Sequence, residues 1–72
     1  MDFKLHLNRI EREILDHLSD GLTNEEIARK LYISPKTVEK HLTEILARTG
    51  LRNRTQLAVA YQRYLADWQK NL

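Results

Sequence analysis

The chain is 72 residues long, has no cysteine and carries a formal net charge of +2 at pH 7. That length holds a single domain, residues 1–72. At this size folding buries only about 60% of the surface of the unfolded chain, so a lone copy is marginally stable and a partner subunit would help. Without cysteine there is neither a disulfide framework nor a thiolate zinc site, a pattern compatible with a reducing cytoplasm. His6, His17 and His41 lack metal-ligand spacing, so no metal is expected. No apolar run approaches the roughly 18–20 residues of a membrane span. The opening MDFKLHLN lacks the apolar stretch and cleavage pattern of a signal peptide.

The small net charge hides an asymmetry. Residues 1–28 carry three lysines and arginines against seven carboxylates, whereas residues 29–54 carry seven against two. A basic middle on a nearly neutral chain is a local electrostatic footprint, and polyanion binding is its usual meaning.

In chain order, Asn8 precedes an apolar-periodic run and Glu11 follows three residues later, a capping box that opens a first helix. Leu7, Ile14, Leu15 and Leu18 recur at helical spacing, and Ser19, Asp20 and Gly21 end the helix. Thr23 opens a second helix with Glu26 as its reciprocal partner, and Ile27, Ala28 and Leu31 form its inward face. Ser34 is the natural N-cap of a third helix, about residues 35–49, with Pro35 at the first helical position, where no N–H is needed. Gly50 closes it. Asn53 with Gln56 makes another capping box and opens a fourth helix that runs almost to Leu72. Four helices with short turns leave no room for a sheet: the expected fold is all-α, a four-helix bundle with a helix-turn-helix in helices two and three.

The third helix has two faces. Val38, Leu42, Ile45 and Leu46 cluster on one side and belong to the core. Lys36, Lys40, Thr43 and Ala47 lie opposite, flanked by Glu39 and Glu44. This outward set is short, polar and partly cationic, which suits a helix that enters the DNA major groove. Lys40 can donate to guanine O6 and N7, and Thr43 can bond a base edge or offer its methyl to thymine. Glu39 either accepts from cytosine N4 or pairs with Lys36 and reads nothing. Lys36 can reach a base or a phosphate. Ser34 and Thr37 offer hydroxyls to a phosphate at the helix N-terminus. Thr23 and Asn24 start the helix that should cross the DNA backbone, and Arg54 is a further phosphate anchor. Arg48 and Arg52 border the groove. His41 reads as a packing or phosphate-side residue.

The fourth helix carries two stripes. Leu57, Tyr61, Tyr64 and Trp68 align at about 100° per residue, and the early members should pack on the first helix. Trp68 should overhang so small a core. Val59 lies opposite, with Arg63 and Ala66 nearby and Gln56 and Ala60 flanking. An outward valine among small residues suits a helix-to-helix contact between two copies, although single exposed apolar residues are also ordinary.

Together these residues resemble the DNA-binding domain of the LuxR family, the GerE or NarL type, from Leu7 to Leu65. The carrying stretches are LNRIEREIL at Leu7 to Leu15, GLTNEEIARKLYIS at Gly21 to Ser34, and PKTVEKHLTEILARTGLRNRTQLA at Pro35 to Ala58. The family usually shows LTxREREVL, EIAxxLxIS, TVxxH and G[VL]xxR[TS] at these spacings. Arg9 and Ile10 depart from the opening motif, where another residue and then an arginine usually stand, and the fourth helix looks extended and aromatic. The resemblance implies a four-helix bundle whose third helix reads the major groove through Glu39, Lys40 and Thr43, with Lys36 leading and Thr23 on a phosphate. It implies that the fourth helix is the dimer surface, which strengthens the contact read above through Gln56, Val59, Ala60, Arg63 and Ala66.

The expected function is sequence-specific binding of double-stranded DNA by a homodimer that regulates transcription, with RNA polymerase a further candidate partner. No cofactor, small-molecule ligand or membrane is expected, and a cytoplasmic location is. An interaction module using the same basic face on an acidic protein is the alternative. The TVEKH run and the NRTQLA entry favour the LuxR type over a sigma-factor region 4. No nucleophile–base pair, carboxylate pair or phosphate-cradling glycine loop suggests an enzyme. In the resembled family a phosphorylation receiver or ligand-binding domain often precedes this module. Met1 and the short lead-in favour a stand-alone regulator over an excised C-terminal domain.

Overall fold

The computed structural model describes residues 7–70, with side chains through Asp67. Among the described residues there are four helices and no strand: α1 (Arg9–Ser19), α2 (Asn24–Leu31), α3 (Pro35–Thr49) and α4 (Arg54–Lys70). Their starts follow from local chemistry. Asn8 and Glu11 form the reciprocal box of α1: the Glu11 amide donates to Asn8 Oδ1 at 2.9 Å and the Asn8 amide to Glu11 Oε1 at 3.1 Å. Thr23 and Glu26 do the same for α2, at 3.2 and 2.9 Å. At α3 the Ser34 hydroxyl accepts from the Thr37 amide at 3.1 Å, and Pro35 takes the first helical position.

At α4 the expected box is only half formed. The Gln56 amide donates to Asn53 Oδ1 at 2.9 Å, but Gln56 Oε1 accepts from the Arg52 amide, one residue further back, at 2.9 Å. Arg52 precedes the helix, so its amide needs a partner from outside the helical ladder.

The ends are equally local. Gly50 sits at φ 73° and its amide donates to the Leu46 carbonyl at 2.9 Å, closing α3 in the left-handed conformation that glycine adopts without steric cost. Tyr32 closes α2 at φ 57°, a left-handed position that the tyrosine Cβ makes costly.

One core joins all four helices: Ile14, Leu15 and Leu18 of α1, Ile27 and Ala28 of α2, Val38, Leu42 and Ile45 of α3, and Leu57 and Tyr61 of α4. Leu7, Leu31 and Leu46 are partly buried against it, and so is Ile10, the departure from the opening motif. Fully burying each large apolar side chain contributes about 1.5–3 kcal/mol. α3 packs chiefly on α2, and α4 chiefly on α1. Tyr61 fixes the latter contact: its hydroxyl donates to Asp16 Oδ1 at 2.6 Å, and its ring stacks on Tyr64 with centroids 6.3 Å apart. Burial first, then the hydrogen bond to Asp16, push the Tyr61 phenol pKa up from its ordinary value. Trp68, the last member of that stripe, lies outside the residues whose side chains are described.

Candidate nucleic-acid interface

The packing of α3 on the core decides what it shows to solvent. With Val38, Leu42 and Ile45 buried, Lys36, Glu39, Lys40, Thr43, Glu44 and Ala47 are all exposed along the opposite side. No ion pair joins Lys36 to Glu39 among the described residues, so the Glu39 carboxylate is not absorbed by that neighbour. At the N-terminus of α3 the Ser34 and Thr37 hydroxyls lie 2.9 Å apart, a paired hydroxyl surface beside the positive end of the helix dipole.

α2 begins at Asn24, capped by Thr23. Thr23 is exposed, and its hydroxyl and amide are both engaged with Glu26 in the cap. The backbone hydrogen bond from Thr23, then its side-chain bond, hold the Glu26 carboxyl below its ordinary pKa of 4.5. Asn24 is half-buried and its Oδ1 accepts from Arg54 Nη1 at 2.8 Å. Arg54 Nη2 also donates to the Leu22 carbonyl at 3.0 Å. The structure thus brings two expected phosphate residues, Asn24 and Arg54, together and engages them with each other.

Arg48, though exposed, also reaches a partner within the bundle. Its Nη2 pairs with Glu11 Oε2, whose residue is only 4% exposed. A buried carboxylate needs such a partner, because an isolated charge in the interior is strongly disfavoured. Sequence reasoning assigned Glu11 to the α1 cap alone and Arg48 to the border of the groove. Only the pairing of residues 37 positions apart reveals the second role of each. Arg52 is exposed. His41 is half-buried, and its Nδ1 is enclosed without a hydrogen-bond partner among the described residues. No group of three or more His, Cys, Asp and Glu side chains is placed to hold a metal among the described residues.

On α4, Val59 is 42% exposed, with Gln56, Arg63 and Ala66 also exposed and Ala60 half-buried beside it. The outer face of α2 presents a shallow open hollow lined by Leu22, Glu26, Arg29, Lys30 and Tyr32. Among the described residues no helix is long and apolar enough to cross a membrane.

Residues 6–61 match the family model described as bacterial regulatory proteins, luxR family. The chain is similar to the transcriptional regulatory protein LnrK of Bacillus subtilis, 45% identical over 60 residues, which is 83% of this chain and 27% of that protein. It is 45% identical over 49 residues to the DNA-binding transcriptional activator DevR/DosR of Mycobacterium tuberculosis, 68% of this chain and 23% of that one. It is 42% identical over 62 residues to the transcriptional regulatory protein LiaR of Bacillus subtilis, 85% of this chain and 29% of that one. The chain therefore spans less than a third of the length of these relatives. No solved structure matches it. The family and these relatives are transcriptional regulators rather than enzymes. With the family model matching 56 of its 72 residues, across all four helices, the chain belongs to the bacterial regulatory proteins of the luxR family.

Proposed function

We propose that this chain binds double-stranded DNA sequence-specifically and regulates transcription, with α3 in the major groove and two copies on an inverted repeat. The observation that carries the reading is the outward face of α3: Lys36, Glu39, Lys40 and Thr43 stand exposed together while the opposite face is locked in the core. Lys40 suits guanine, Thr43 a base edge or thymine methyl, and Glu39 cytosine N4. Thr23, Ser34 and Thr37 supply hydroxyls for phosphates, which fix register without reading sequence. The relative whose name states DNA binding supports the same ligand.

Docking as a dimer through Gln56, Val59, Ala60, Arg63 and Ala66 places the two recognition helices on half-sites about one helical turn apart. Selection of bound sequences from a random duplex library at physiological salt tests the reading. An inverted repeat supports it. Salt-sensitive binding without a consensus contradicts sequence reading and moves an acidic protein partner to first place.

A further inference from the structure

We propose that Arg54 is a positioning residue for DNA docking: its guanidinium locks the first turn of α2 to the start of α4 and so sets where α2 meets the phosphate backbone. The inference rests on the DNA-binding reading above. It starts from how Arg54 spends its donors. Nη1 donates to Asn24 Oδ1 at 2.8 Å and Nη2 to the Leu22 carbonyl at 3.0 Å. Those acceptors flank Thr23, the N-cap of α2, so the fork grips the cap residue from both sides. The Leu22 carbonyl lies outside the helical ladder, and Arg54 supplies it with a donor. α2 packs chiefly on α3 and α1, and this fork adds two directional hydrogen bonds that tie its start to α4.

Only a planar guanidinium fits the task. A lysine ammonium is a point charge on a flexible stem and does not reproduce two parallel donors in a fixed fork. A cation held this way acts through Thr23 and Asn24 rather than by touching a phosphate. If α4 also carries the dimer contact, the same fork transmits the spacing of the two copies to the end of α2 that meets DNA.

The two roles separate experimentally in the full chain, at a temperature where each variant is as helical by circular dichroism as the original. The probe is the duplex recovered by selection. A phosphate anchor tolerates Arg54→Lys, whereas Arg54→Gln makes the slope of log K against log salt shallower by about 0.9 for each copy bound, so by about 1.8 on an inverted repeat. A positioning fork gives the reverse. Arg54→Lys weakens binding about ten-fold, and Arg54→Gln leaves the salt slope unchanged. Arg54→Lys with Asn24→Ala then binds no worse than the weaker single variant. Full affinity in Arg54→Lys, a shallower slope in Arg54→Gln, or additive losses in the double variant overturns the proposal.

Asn24→Ala alone keeps the cation and serves if Arg54→Lys does not fold. The Glu26 and Ile27 amides, held by the hydroxyl and carbonyl of Thr23, should exchange faster with solvent, with the α1 and α3 core amides unchanged. Unaltered exchange refutes the clamp. This readout needs no DNA, so it stands even where the original chain prefers no duplex sequence and the DNA reading itself fails.

Discussion

Arg48, in the last turn of α3, reaches across the bundle to the buried carboxylate of Glu11 in the first turn of α1. The pair ties the far end of α3 to α1, and the two partners are unequal. The Arg48 side chain is 46% exposed and can turn to water if its partner is removed, whereas the Glu11 side chain, 5% exposed, cannot.

Arg48→Met should therefore destabilise the fold more than Glu11→Gln. We expect about 3 kcal/mol for the former, which strands a buried carboxylate, and about 1 kcal/mol for the latter, which keeps a hydrogen-bonding side chain. Urea unfolding of both variants at pH 7 measures the difference. Equal losses would mean that the Glu11 carboxylate reaches water without Arg48.

Tyr61 gives a prediction with a pH sign. Its phenol pKa is raised in the folded state, so the neutral form is favoured by folding. The associated stability is fully present below the unfolded value of 10.0 and is lost as pH rises beyond it through the higher folded value. Tyr61→Phe should cost about 1 kcal/mol at pH 7, the worth of the bond to Asp16. It should also flatten the loss of stability above pH 10. An alkaline stability profile unchanged by Tyr61→Phe contradicts the assignment.

Much of this fold was legible because its instructions are local. Asn8 with Glu11, Thr23 with Glu26, Ser34 before Pro35, and Gly50 each place a cap within four residues of the groups it serves. The periodicity of Val38, Leu42 and Ile45 told which face of α3 is buried, and hence which face is shown. Periodicity does not tell which distant residue a long side chain will meet. Arg54 reads as a phosphate anchor from its place at the start of the fourth helix and Arg48 as a border of the groove, and neither reading names the intramolecular partner each one meets. Their acceptors, Glu11 in α1, Leu22 in the turn before α2 and Asn24 at the start of α2, are brought within reach only by packing. Tyr32 escaped for a different reason: no composition rule puts an exposed tyrosine, 96% accessible, in a left-handed cap.

The dimer assignment depends on Val59. Val59→Glu places a charge in the centre of the proposed contact between two α4 helices, where burial without a partner is costly. Affinity for a full inverted repeat should fall far more than affinity for a single half-site, with helicity unchanged because Val59 lies outside the core. Titration of both duplexes by fluorescence anisotropy checks this. Equal losses on the two would remove α4 as the contact.

The central claim is that the exposed face of α3 reads bases, and Lys40 tests it most directly. Lys40→Ala should weaken specific binding by roughly 1–3 kcal/mol and relax preference at one base pair in each half-site. The measurement is parallel selection of duplexes by the original chain and by this variant, with Kd for each single-base substitution of the recovered site. We predict a consensus degenerate at one symmetric pair of positions and intact elsewhere. An unchanged consensus bound uniformly more weakly would show Lys40 on a phosphate, and would contradict the reading role given to this face.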